Sequence, residues 1–164
     1  MSEPAVSLHQ ALLLRPLQEP DCQAVADLMA PYARREIMLW RTAAEIARHL
    51  PDFVVAEHQG QILGCVALRD YGAGLQEVRS LAVHHDYISQ GIGARLVAAI
   101  IELARERQCR RLFALTTSPV FFTKQGFQLA TKELFPQKVW VDCSACFKKD
   151  RCDETAVYLD LGSG

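Results

Sequence analysis

The chain has 164 residues, 50% of them apolar and 23% charged, and its net charge is −1. That length fits one domain, and that balance buries a core, so a wholly disordered chain is excluded. Near-neutrality removes any general electrostatic pull toward nucleic acid or an anionic membrane, and no stretch approaches the roughly 20 apolar residues that cross a bilayer. Neither nucleic acid nor membrane is expected as a partner. Glu3, the short apolar run Ala11–Leu14 and Arg15 do not make a secretory signal, so the expected location is cytoplasmic.

In chain order, residues 12–16 predict a strand stopped by Pro16. Asp21 reads as the N-cap of a helix carrying Val25, Leu28 and Met29 at helical spacing and ending near Tyr32–Arg35. A second, short helix fits 42–49, with Thr42 as N-cap and Glu45 at the capping-box spacing. Phe53–Glu57 and Ile62–Leu68, separated by His58-Gln59-Gly60-Gln61, predict a hairpin. Tyr71–Gly74 reads as a loop and Glu77–Val83 as a strand.

The strongest helix is 92–107, where Ile92, Leu96, Ala99, Ile100, Leu103 and Ala104 share a face. Arg111–Thr116 follows as a strand, 119–125 as a short helix, and Phe127–Thr131 and Thr155–Leu161 as strands. The order β-α-α-β-β-β-α-β-α-β-β predicts an α/β (α+β) chain. Its sheet is mixed, mostly antiparallel and flanked by helices, in a single domain over 1–164.

The sharpest local feature is the strand ending Leu81-Ala82-Val83, then a short loop, then Ser89-Gln90-Gly91-Ile92-Gly93-Ala94 opening the long helix. Backbone N–H groups in a first helical turn have no intrahelical partner, and the dipole adds partial positive charge there. Glycines let a phosphate approach that backbone closely. The same glycines also make a tight turn with no ligand. A dinucleotide fingerprint is disfavoured, because its third glycine would fall at Leu96. A Walker A loop is excluded, because no Gly-Lys-Ser/Thr follows.

Of six cysteines, Cys22, Cys65 and Cys109 sit singly in apolar or helical contexts and read as buried thiols. Cys143, Cys146 and Cys152 cluster. In a cytosolic protein that spacing suggests a metal before a disulfide. Zinc wants four ligands, and Asp142 or Asp153 would have to complete the set. Reduced loop cysteines and redox pairing are the alternatives, and no metal is expected. Phe121, Phe122, Phe127 and Phe135 read as core, and His84 and His85 as surface residues at a strand end.

Val83, His85-Asp86-Tyr87 and Gln90-Gly91-Ile92-Gly93-Ala94 together resemble the acetyl-CoA motif of the GNAT N-acetyltransferases. Phe121-Phe122-Thr123-Lys124-Gln125-Gly126-Phe127 resembles that superfamily's second motif, and the element order agrees over nearly the whole chain. More narrowly, four segments resemble the stand-alone bacterial N-acetylglutamate synthase branch. They are Met38-Leu39-Trp40-Arg41-Thr42, Glu77–Val83, Leu115-Thr116-Thr117 and the closing Cys143…Cys152-Asp153-Glu154. Ile88 stands where the superfamily has Arg or Gln, Trp40 where the branch has proline, and Phe122 where many members carry tyrosine.

The resemblance implies acetyl-CoA as co-substrate and a small amino acid, most readily L-glutamate, as acceptor. It implies that Leu81, Ala82 and Val83 pair with the pantetheine arm, that a backbone N–H there polarises the thioester carbonyl, and that Ser89, Gln90, Gly91, Ile92, Gly93 and Ala94 hold the pyrophosphate. A homodimer is a family expectation.

From the residues, Glu77 is the candidate base for the amine's proton. Period-two alternation would put Glu77, Arg79, Leu81 and Val83 on one strand face, though an exposed Glu77–Arg79 pair is the alternative. Arg41 and Arg79 are the candidates for holding an acceptor carboxylate. Another small amine or a protein N-terminus as acceptor, or a non-catalytic CoA-binding sensor, are the competing readings.

Overall fold

The computed structural model describes residues 11–135 and 154–162. Within them the strands are β1 (Leu13–Pro16), β2 (Phe53–His58), β3 (Gln61–Gly72), β4 (Leu75–Val83), β5 (Arg111–Thr116), β6 (Gln128–Ala130) and β7 (Thr155–Asp160). The helices are α1 (Cys22–Arg34), α2 (Ala43–Ala47), α3 (Ile92–Glu106) and α4 (Pro119–Thr123). The predicted order of elements holds throughout. The strands form a seven-stranded mixed sheet in the order β1-β2-β3-β4-β5-β7-β6. Pairings β1–β2, β2–β3, β5–β7 and β6–β7 are antiparallel, and β4–β5 is parallel over Leu75–Glu77.

The chain resolves into two compact units. The first holds the residues up to Leu68 together with Arg79–Ile100. Its core packs Val25, Leu28 and Met29 of α1 and Ile46 of α2 against Phe53, Val55, Cys65 and Ala67. Gly64 faces the other way. A Cβ there would lie 2.7 Å from Leu96 Cδ1, 3.1 Å from Ile92 Cγ2 and 3.2 Å from the Ala82 carbonyl, so only glycine lets α3 settle this close to β3 and β4. The second unit holds Arg69–Val78 and the chain from Ile101 on. Its core is Phe113, Phe135 and Ala156, with Tyr71, Leu75, Leu115, Ala130 and Tyr158 packed against it.

Two local expectations change. Asp21 holds the N-cap position of α1 but its side chain makes no cap bond, and its φ of −80° and ψ of −14° are already helical. A 3-10 turn over Glu19–Asp21 starts the helix earlier, from Gln18. Asp21 then stands at the third position of that turn and accepts the Gln18 N–H at 2.9 Å. The predicted loop Tyr71–Gly74 shrinks to Ala73-Gly74, both at positive φ. Tyr71 stays in β3 because its ring packs on Phe113, with centroids 5.8 Å apart.

Arg15 ties three segments of the first unit together. Its Nε donates to Glu57 on β2 at 2.6 Å, and its two terminal nitrogens donate to the Asp21 carboxylate at 2.7 and 3.0 Å. The guanidinium, helped by the Gln18 N–H, holds the Asp21 carboxyl below the usual carboxylate range. A lowered carboxyl pKa stabilises the fold fully above the ordinary value, about 3.9, and that stability is lost as pH falls through the lowered folded value. Asp21→Asn is expected to cost about 1–2 kcal/mol at pH 7. The gap to the parent protein should narrow below about pH 4. Urea unfolding midpoints across pH 7 to 2 measure this, and a gap that stays constant refutes it.

Candidate functional site

Strand β4 carries five of the twelve predicted site residues, Glu77, Arg79, Leu81, Ala82 and Val83, and its backbone is irregular. Ser80 has a φ of +56°, left-handed for a non-glycine residue inside a strand. Such a residue marks a bulge, and it costs about 1 kcal/mol. The uniform two-residue alternation expected from Glu77 to Val83 therefore does not run through Ser80. Beyond it the pattern resumes. The Ser80 carbonyl meets Cys65 Sγ on β3, and the His84 N–H donates to the Leu63 carbonyl at 2.8 Å. Neighbouring residues of an extended strand point their backbone groups to opposite sides. Leu81 and Val83 thus direct theirs away from β3.

At Val83 those groups meet Tyr32 of α1. Its hydroxyl accepts the Val83 N–H at 3.3 Å and donates to the Val83 carbonyl at 2.5 Å. Sequence reasoning missed Tyr32, since a tyrosine on a helix carries no local signal of a bond to residue 83. Beside this contact a cleft of about 620 Å³ is lined by Asp27, Leu28 and Tyr32 of α1, Arg35 just past its end, Gln61 and Ile62 of β3, and Val83, His84, His85 and Ile88. Of the predicted site residues it takes in Val83 alone; Arg41, Glu77 and Arg79 do not line it.

The glycine turn has the geometry of an anion cradle. Ser89 and Gly91 adopt φ of +69° and +84°, and a Cβ on Gly91 would have no atom within 4 Å. Gly91 is thus required by its backbone conformation and faces open space. The Arg95 N–H donates to the Gly91 carbonyl at 3.2 Å, which makes Gly91 the N-cap of α3. The N–H groups of Ile92, Gly93 and Ala94 precede the first intrahelical bond, and glycine has no side chain with which to cap them. A phosphate fits such a turn. Ile88 is 52% exposed, so it contributes no buried contact here.

Glu77 is buried, at 5% exposure, which removes the exposed-pair alternative. The Tyr71 hydroxyl donates to its Oε1 at 3.0 Å, and the Arg69 guanidinium lies 4.8 Å from the Tyr71 ring centroid. Sequence reasoning misses Tyr71, because Tyr71-Gly72-Ala73-Gly74 reads as a loop. Arg79 is half-buried on β4. Arg41 is half-buried in the connection from α1 to α2, next to Thr42, whose Oγ1 accepts the Glu45 N–H at 3.1 Å as predicted for the N-cap. Trp40 beside it is 57% exposed.

Cys22, Cys65 and Cys109 are free and buried, as expected, and burial pushes all three thiols up, Cys65 to about 12. Cys143, Cys146 and Cys152, with Asp142 and Asp153, lie outside the described residues. Among the described residues the one grouping of possible metal ligands is His84, His85 and Asp86. There His84 Nδ1 already accepts the Asp86 N–H at 3.2 Å, and His85 and Asp86 are exposed, so it reads as a capped turn. Phe122, Phe127 and Phe135 are core, and Tyr158 donates to Gln128 at 3.1 Å on an exposed edge.

Comparison with known proteins agrees with this geometry. The family described as "Acetyltransferase (GNAT) domain" matches residues 49–129. An uncharacterized N-acetyltransferase of Chlorobaculum tepidum is 39% identical over 141 residues, which cover 86% of this chain and 91% of that protein. An amino-acid acetyltransferase of Neisseria meningitidis is 34% identical over 82% of this chain, but that match spans only 30% of the relative's length. Among solved structures, N-acetylglutamate synthase of Neisseria gonorrhoeae, complexed with coenzyme A and N-acetyl-glutamate, is 28% identical with a TM-score of 0.83. The alignment covers 98% of this chain and 36% of that one. With a relative matched over nine-tenths of its length and the fold matched over nearly the whole chain, this protein belongs to the GNAT acetyltransferases, the acetyl-CoA-dependent acyltransferases.

Proposed function

We propose that the protein acetylates the α-amine of an amino acid, with L-glutamate as the first choice, by direct attack in a ternary complex. The observation that carries this reading is the likeness, over 98% of the chain, to a synthase solved with coenzyme A and N-acetyl-glutamate. The supporting chemistry lies in this chain's own residues.

In this reading the turn Ser89-Gln90-Gly91-Ile92-Gly93-Ala94 holds the pyrophosphate through backbone N–H groups and the α3 dipole. The outward-facing groups of Leu81 and Val83, with Ala82 between them, pair with the pantetheine arm. A backbone N–H of that segment donates to the thioester oxygen as negative charge develops on it. Glu77 takes the ammonium proton of the acceptor, directly or through one water, so that a neutral amine attacks. The C–N bond forms and the C–S bond breaks. A thiol pKa of about 8.5 makes coenzyme A thiolate a fair leaving group, which takes its proton from water. Arg41 and Arg79 hold the acceptor's carboxylates. The reaction takes place in the cytoplasm, with a homodimer as the working assembly and arginine biosynthesis as the context.

The direct test is release of free thiol from acetyl-CoA across an amino-acid panel. Release driven by glutamate and not by aspartate, glutamine or lysine supports the reading. Release with a different amine replaces the acceptor and keeps the mechanism. Acetyl-CoA binding with no release from any of them refutes it in favour of a protein acceptor or a sensor.

Three variants refine the test. Glu77→Gln is expected to lower kcat about 100-fold or more while acetyl-CoA affinity stays unchanged. A Glu77→Gln enzyme of near-parental kcat excludes the base role. Arg41→Ala should raise the acceptor KM about tenfold or more through loss of a charged hydrogen bond and leave the acetyl-CoA KM alone, and equal effects on both would refute its substrate role. Tyr32→Phe removes a group that competes for the Val83 backbone. It should lower the acetyl-CoA KM about threefold or more and destabilise the free protein by about 1 kcal/mol. An unchanged or raised KM, read beside the urea midpoint, would show that the pantetheine arm does not use Val83.

A further inference from the structure

The buried thiol of Cys65 on β3 sits against the bulge of β4. Cys65 is 0% exposed. Its Sγ donates to the Ser80 carbonyl at 3.2 Å, and the Ala82 N–H bonds back to the sulfur. One side chain therefore engages the residues on either side of Leu81. A trans peptide unit points its C=O and its N–H in opposite directions, and no cis bond occurs among the described residues. Holding the Ser80 C=O toward β3 turns the N–H of Leu81 away from β3. Holding the Ala82 N–H toward β3 turns the C=O of Leu81 away as well. The Ser80 residue whose carbonyl takes the thiol has a left-handed φ of +56°.

We propose that Cys65 is a positioning residue of the acetyl-transfer site, its thiol locking the two peptide planes around Leu81 so that the Leu81 N–H and C=O face the acyl thioester and pantetheine arm. This rests on the reading of Leu81–Val83 given under the proposed function. Cys65 touches neither substrate, and its full burial keeps it from acting as a nucleophile. The role needs an S–H donor and a sulfur acceptor at one point. A serine hydroxyl supplies both, valine supplies similar volume with neither, and alanine leaves two buried polar groups without a partner.

The test compares Cys65→Ser, Cys65→Val and Cys65→Ala with the parent protein. It measures acetyl-CoA Kd by calorimetry, kcat and KM with the best acceptor of the panel, and Tm. Cys65→Val is expected to lose about tenfold or more in kcat and to bind acetyl-CoA several-fold more weakly at temperatures well below its Tm. Cys65→Ser should stay within about threefold of the parent on both. A folded Cys65→Val protein with parental kcat and Kd overturns the proposal, whatever its Tm, because a purely structural thiol would move Tm alone. Serine and valine variants that are equally impaired overturn it too, since volume would then be the only requirement.

Should Cys65→Ala fail to fold, the serine–valine pair still decides. If the parent binds acetyl-CoA but transfers to no acceptor, the function reading fails on its own. Kd then judges Cys65: weakening in valine with rescue by serine supports it, and no weakening overturns it. A parent that does not bind acetyl-CoA overturns both.

Discussion

The proposed acetyl-transfer site depends on the direction of a few peptide groups near the end of β4. Two consecutive residues of β3, on opposite faces, contact that segment. Gly64 has no Cβ to hold Leu96, Ile92 and the Ala82 carbonyl apart, so α3 packs down on the sheet. Cys65, pointing to the other face, joins the core of α1 and α2 and touches the Ser80 carbonyl. A strand with a left-handed residue in its middle would tend to relax into a regular ladder. The backbone strain of about 1 kcal/mol persists because the surroundings over-determine it. Strain held in place by packing is a reservoir of preorganisation, and electrostatic stabilisation of a developing oxyanion requires donors that are already aimed.

In the proposed mechanism backbone groups recognise acetyl-CoA, which makes its affinity insensitive to side-chain identity. Any residue supplies an N–H, so the exposed Ile88 is tolerated where the superfamily has a cation or an amide. The specific requirements fall on conformation instead, at Ser80, Ser89 and Gly91, all at positive φ. Acceptor recognition is the reverse case. A carboxylate needs a planar, charged donor, so the acceptor is read by side chains carried on irregular segments. The connection from α1 to α2 is such a segment, with Arg41 beside the exposed Ile37, Leu39 and Trp40. On the proposed role of Arg41, substitutions there would alter what is acetylated and leave the acetyl donor unchanged.

The order of elements was legible because each has a strong local cause. Helical spacing marks α1 and α3, the Gln59-Gly60 turn marks the β2–β3 hairpin, and the glycines mark the start of α3. The ends were less so. Asp21 has the chemistry of an N-cap, but its carboxylate is engaged by Arg15 and the Gln18 N–H, contacts that local sequence does not reveal. Of the site, the glycine turn and Glu77 were visible as residue types in context. The bulge at Ser80 was not, because serine carries no preference for left-handed backbone, and the alternation expected through it was wrong for that reason. Tyr32 and Cys65 were invisible for another reason. Their partners lie 51 and 15 residues away in sequence, and only the fold brings them together.

Phe122 bears on how the reaction ends. The GNAT resemblance places it where many members carry a tyrosine that protonates the leaving thiolate. Here Phe122 is buried at 5% exposure, its ring 5.2 Å from both Phe121 and Phe127 and edge-on to each. A hydroxyl in that aromatic cluster would need a partner to offset its desolvation. Three tyrosine hydroxyls among the described residues already have partners. Tyr32 is bonded to Val83, Tyr71 to Glu77 and Tyr158 to Gln128. Acid catalysis of thiolate departure is dispensable when the leaving group is a thiol, whereas removing the ammonium proton from the attacking amine is not. In the proposed mechanism the buried carboxylate at residue 77 and the phenylalanine at 122 fit together: Glu77 supplies the base that the chemistry requires, and the core packs where an acid would add little.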